Sequence, residues 1–121
     1  HRFISLCDNI TTLLALSNDY GYENVFCMQL KDVLKEGDMV LCISGSGNSE
    51  NVIRAAEYAR SAGCKVIALT GFDGGRLKKL ADYSVHVELH DMKKAEDCHM
   101  ILLHAMAGSV SESLDTLEKS V

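Results

Sequence analysis

The sequence predicts an α/β domain, a parallel sheet with helices on both faces in a three-layer αβα arrangement. Three observations predict it. Residues 39–43 and 65–69 are apolar at nearly every position, as strands buried on both faces of a sheet must be. Stretches with helical apolar spacing alternate with these runs, the order that builds parallel sheets. The first run ends in Ser44-Gly45-Ser46-Gly47-Asn48-Ser49, a Gly/Ser loop placed where a strand hands over to a helix.

Taken in order, residues 3–7 form a short apolar run ending at Asp8-Asn9, read as a strand followed by a turn. Residues 10–16 and 23–34 have helix-compatible spacing, interrupted by a turn at 17–21. A turn at 36–38 leads into the strand at 39–43. Residues 50–62 form an amphipathic helix, with Val52, Ala55, Ala56 and Ala59 on one side and Gly63 closing it. The strand at 65–69 ends in the turn 70–75, and a short helix spans 76–81. Residues 83–89 alternate and read as a strand nearer an edge. Asp91 begins a last helix that runs to about residue 117. No proline, repeat or low-complexity stretch interrupts this order.

At 121 residues the chain makes one domain, over residues 1–121, with a single core. It starts at His1-Arg2 and enters an apolar run at once, which reads as a piece of something longer. A net charge of −5 with interspersed signs argues against nucleic acid as a partner, which calls for a basic face. No apolar run reaches membrane-spanning length and no signal peptide is visible, so no membrane partner is expected. Five cysteines form no CxxC pair. They read as packing residues in a reducing compartment, which places the protein in the cytoplasm.

The loop at 44–49 carries the chemistry. In open parallel sheets ligands sit beyond the carboxyl ends of the strands. Gly45 and Gly47 let backbone amides approach an anion, and Ser44, Ser46 and Ser49 add hydroxyls. Ser49 stands at the N-cap of the next helix, whose free amides and dipole point to the same place. Without a lysine, such a loop holds a phosphate and does not transfer it. The plainer reading is a flexible turn with a helix cap; the placement between a buried strand and an amphipathic helix favours phosphate.

Residues 43–52 resemble the signature of the SIS (sugar isomerase) domain family, with later landmarks at 69–75 and 80–82. Asn18-Asp19-Tyr20-Gly21-Tyr22, and Glu96-Asp97-Cys98-His99 with His104, are similar to its phosphoheptose (sedoheptulose-7-phosphate) isomerase branch. The resemblance covers roughly residues 3 to 117. It implies a flavodoxin-like sheet that binds a sugar phosphate. The last helix is apolar nearly all round, at Met100, Ile101, Leu102, Leu103, Met106 and Val110, which predicts a homo-oligomer packed through it, dimer or tetramer, the resemblance implying a dimer of dimers. The resemblance implies phosphate contacts for Ser44, Ser46 and Ser49, with the Thr usual in the family replaced by Gly45, whose amide remains. It places substrate contacts on Asp8, Asn9 and Glu96, where the family usually has Gln, and the catalytic histidine on His104. No cofactor is required; zinc is a candidate ion, with Glu96 and His104 as its ligands. The family's N-terminal helix, its first strand with a second phosphate loop, and its Glu general base have no match in this sequence.

Aldose–ketose isomerisation moves a proton between adjacent carbons, so it needs a base on carbon and an acid near oxygen. His104 lies in the apolar run 100–107, where burial would tune an imidazole around neutral pH. From sequence alone it reads as a core or interface histidine; the resemblance makes it the acid/base. Glu96 and His104 lie about 12 Å apart along the helix axis, placed to flank a ligand. The expectation is a ketose–aldose phosphosugar isomerase, the chain alone being inactive without the base. The alternative is a phosphosugar-sensing or assembly module.

Overall fold

The computed structural model describes residues 2–119. Three strands, β1 (Met39–Ser44), β2 (Lys65–Thr70) and β3 (Tyr83–His86), form one parallel sheet in the order β1-β2-β3. Pairing runs in register from Met39 opposite Lys65 to Ser44 opposite Thr70, and from Ile67 opposite Tyr83 to Thr70 opposite His86. The carboxyl ends of β1 and β2 are therefore level, and both loops that leave them open on the same edge.

Helix α3 (Glu50–Ser61) makes the crossover from β1 to β2, and α4 (Gly75–Leu80) the crossover from β2 to β3. The α3 face carrying Ile53, Ala56 and Ala59 packs on Cys42, Val66, Ala68 and Leu77, all buried. Small residues on the helix let it lie close to the sheet. Leu77 is the one α4 side chain that is fully buried, which pins this short helix over the core. Burying such a leucine stabilises the fold by about 1.5–3 kcal/mol.

Before the sheet come α1 (Ile10–Tyr20), a 3-10 turn (Tyr22–Asn24) and α2 (Val25–Val33). The turn expected at 17–21 is narrower than the sequence suggests: the helix continues through Asn18-Asp19-Tyr20 and stops at Gly21. There a φ of 84° is available to glycine, and the Gly21 amide closes on the Ser17 carbonyl at 3.0 Å. After β3 the chain turns into α5 (Met92–Glu118), capped by the Asp91 carboxylate, which accepts from the Lys94 amide. Residues 87–89, expected as strand, fall outside β3 but stay bonded to the end of β2 and its loop: Val87 donates to Thr70 O at 2.8 Å and Phe72 donates to Leu89 O at 3.1 Å.

One element is corrected. Residues 3–7 are not a strand; they run as extended chain into a turn, exposed apart from half-buried Leu6. A strand exists by its ladder, and among the described residues none pairs with this segment. It lies instead across a cavity of about 1700 Å³ that wraps the free edge of β1 and is closed by Leu103, His104 and Met106 of α5.

Candidate phosphate-binding site

The loop 44–49 is held in one shape by its own bonds. Ser44, the buried last residue of β1, donates its hydroxyl to Ser49 Oγ at 3.1 Å, so the two ends of the loop are tied together. The Gly47 amide closes a tight turn on the Ser44 carbonyl at 3.0 Å. Gly47 has a φ of 66°, a left-handed conformation that a side chain resists. Ser46 Oγ accepts from the Asn48 amide at 3.2 Å, and Asn48 Nδ2 donates to the Ser46 carbonyl at 3.1 Å.

Ser49 occupies the N-cap of α3, as expected, but its hydroxyl makes no capping bond. Its carbonyl accepts from Val52 and Ile53, each at 3.0 Å. The amides of Glu50 and Asn51 have no carbonyl within the helix to reach. Donors and the positive end of the α3 dipole thus converge beside three serine hydroxyls, an arrangement suited to an anion.

A second loop braces the first. Gly71 donates to Gly45 O at 2.8 Å, Leu77 to Gly47 O at 2.9 Å, and the Arg76 amide to Asn48 Oδ1 at 3.1 Å. A Cβ on Gly47 would overlap the Gly74 carbonyl, and one on Gly75 would stand 2.6 Å from Asn48 Nδ2. Gly74, Gly75 and Arg76 were not legible as part of the site from spacing alone; Asn48, within the loop, meets them through its side chain. The usable signal was the Gly74-Gly75 pair opening a helix directly after a parallel strand.

The other residues lie around this cradle. A Cβ on Gly45 would overlap Met92 Sδ, so the first turn of α5 rests against the loop. Glu96 is one turn further along the same face as Met92 and is exposed. His104 is exposed and opens on the β1-edge cavity, which Ile43 and Cys7 also line. Asp8 and Asn9 are exposed at the start of α1, where Asn9 Oδ1 accepts from the Thr12 amide at 3.0 Å. The fold therefore brings Ser44, Gly45, Ser46 and Ser49 into one cradle and sets Glu96 beside it. His104 lines the neighbouring cavity, and Asp8 and Asn9 follow Cys7, which also lines it.

Zinc finds no complete site in these residues. Among the described residues no group of three or more His, Cys, Asp or Glu could hold a metal. Glu96 and His104, two turns apart on one helix, are too widely spaced to share an ion at bonds of about 2 Å.

Two parallel crossovers, with a serine-rich loop at the carboxyl end of a strand, define a parallel α/β domain. The chain belongs to the SIS domain family, whose profile its residues 3–71 match. It is 40% identical over 110 residues to the phosphoheptose isomerase of a Nitratiruptor species, covering 91% of this chain and 59% of that protein. It is 39% identical over 106 residues to the phosphoheptose isomerase of Mycobacterium tuberculosis, covering 88% of this chain and 54% of the relative. The solved phosphoheptose isomerase of Neisseria gonorrhoeae superposes with a TM-score of 0.86 at 35% identity, over 88% of this chain and 61% of that one. The chain spans less than two thirds of the length of each of these relatives.

Proposed function

We propose that this chain is the phosphate-gripping part of a ketose–aldose phosphosugar isomerase that acts on a phosphoheptose such as sedoheptulose 7-phosphate. The observation that carries the reading is the cradle itself: three serine hydroxyls and the uncapped first turn of α3, held together at the carboxyl end of β1. Similarity to phosphoheptose isomerases from several bacteria supports the substrate class.

In this reading Ser44, Ser46, Ser49 and the Gly45 amide hold the phosphate, which fixes one end of an extended sugar. Asp8, Asn9 and Glu96 orient its hydroxyls. His104 moves a proton at the reacting carbonyl and hydroxyl oxygens as an enediol forms and collapses. The base that takes the proton from carbon has no match among the 121 residues. The test is titration of sedoheptulose 7-phosphate against the protein and its Ser46→Ala/Ser49→Ala variant. Weaker binding by the variant is expected; equal affinity would overturn the reading.

A homo-oligomer, dimer or tetramer, is supported by α5, on which Met100 and Ile101 are 55% and 68% exposed. Apolar side chains at this exposure on a long helix favour a partner helix. Light scattering at micromolar concentration tests it, and a monodisperse monomer would count against it. The five cysteines are free, one of them exposed, which supports a reducing compartment such as the cytoplasm. No helix among the described residues is long and apolar enough to cross a membrane.

A further inference from the structure

Glu50 is the first residue of α3 and the immediate neighbour of Ser49. A carboxylate there is favourable to the helix dipole, but it competes for the same first-turn amides that the cradle offers to phosphate. In the structure both of its oxygens are drawn elsewhere. Oε1 is held by Arg54 Nε at 3.2 Å, and Oε2 by Arg76 Nη1 at 2.7 Å. Arg76 also reaches Glu57 at 3.4 Å, and Arg54 reaches Asn24 Oδ1 at 2.8 Å and Glu23 at 3.9 Å. Arg76 arrives from the opposite crossover, and its amide already holds Asn48 Oδ1. One residue of α4 therefore fixes the loop through its main chain and the competing carboxylate through its side chain.

We propose that Arg76 is a positioning residue of the phosphate cradle: with Arg54, its guanidinium holds Glu50 away from the mouth of α3 so that phosphate takes the first-turn amides. The inference rests on the phosphate-site reading above. It gives the α4 turn a role beyond packing, because the charge balance at the cradle depends on a residue that the loop motif does not contain.

The experiment uses the full-length protein, with inorganic phosphate as the calorimetric probe and sedoheptulose 7-phosphate for kinetics. Arg76→Ala should weaken phosphate binding about threefold to tenfold, the scale of one helix-terminus charge effect, and act on KM more than on kcat. Adding Glu50→Gln to Arg76→Ala should return the affinity to within about twofold of wild type, because the competitor and the unbalanced charge are removed together. Arg76→Lys, which keeps the charge, should fall between and serves if the alanine variant folds poorly. A purely structural role for Arg76 would leave the double variant no better than the single one. That result, or unchanged affinity in Arg76→Ala while Ser46→Ala/Ser49→Ala binds weakly, overturns this inference alone. If the serine variant also binds like wild type, the phosphate-site reading falls and takes this one with it.

Discussion

Gly47 and Gly74, from the two crossover loops, meet backbone to backbone at the carboxyl edge of the sheet. No Cβ fits between them, since one on Gly47 would overlap the Gly74 carbonyl. Gly47 also sits at φ 66°. Gly47→Ala therefore combines a left-handed alanine, costing about 1–2 kcal/mol, with a clash that pushes the loops apart. A lower denaturation midpoint and a loss of phosphate affinity larger than that of Ser46→Ala are expected. Wild-type phosphate affinity in Gly47→Ala would show that the contact does not set the cradle.

That contact also marks where the sequence stopped being legible. The strands β1 and β2 were readable as apolar runs, although only one face of β1 is buried, Met39, Leu41 and Ile43 being exposed. Helix α3 was readable from Ala55, Ala56 and Ala59, which are buried; Ile53, not Val52, completes the buried face. The loop at 44–49 was readable because its residue types state their chemistry. The brace from 71–77 was not, because it is made by main-chain groups of Gly71, Arg76 and Leu77, which no side-chain pattern encodes. Residues 3–7 look strand-like from composition, yet a strand also needs a neighbour, and the described chain gives them none. The last helix is apolar nearly all round, at Met100, Ile101, Leu102, Leu103, Met106 and Val110; within the single chain Met100, Ile101 and Val110 are exposed, since one sheet face can cover only one side of a helix.

The cysteines should separate by reactivity. Cys42 lies in the core under α3, and burial pushes its thiol up to about 11. The thiolate is the nucleophile, so at about pH 8 Cys42 stays protonated as well as shielded. Exposed Cys7 should react first with iodoacetamide, and Cys42 only on unfolding. Peptide mass mapping of a time course checks this; early labelling of Cys42 would contradict the packing described.

Asp82 links the start of β2 to β3. Its carboxylate accepts from Lys65 Nζ at 2.8 Å and from the Val66 amide at 2.9 Å. The Lys65 hydrogen bond first, then the Val66 amide, hold its pKa below the usual carboxylate value, so the folded state releases this proton more readily than the unfolded one. Its contribution to stability is complete above the unfolded pKa of about 3.9 and is lost as pH falls through the lower folded value. The Lys65 pKa is raised, chiefly by its hydrogen bond to Asp82, and its share is lost at the alkaline end, as pH rises through the folded value. Asp82→Asn should lower Tm at about pH 7, and the gap from wild type should close as the acid limb is reached. A gap that persists undiminished below about pH 3 would mean that the ion pair is not its source.

His104 carries the last prediction. It faces the cavity beside β1, about 18 Å along α5 from Met92 at the phosphate loop. An extended phosphosugar anchored at Ser44, Ser46 and Ser49 must span away from the loop for its far end to meet this side chain. General acid/base groups typically contribute on the order of 10²–10⁴ in rate. His104→Ala in the full-length protein should therefore lower kcat for sedoheptulose 7-phosphate by about that factor, with phosphate affinity nearly unchanged. The 121 residues alone should turn over negligibly. The family's Glu base has no match in them, and Glu96, beside the phosphate loop, is poorly placed to take a proton from carbon. Among the described residues β1 also keeps one edge without a neighbour. Robust turnover by these residues alone would show that the base lies within them. Full activity in His104→Ala would move the acid elsewhere on α5.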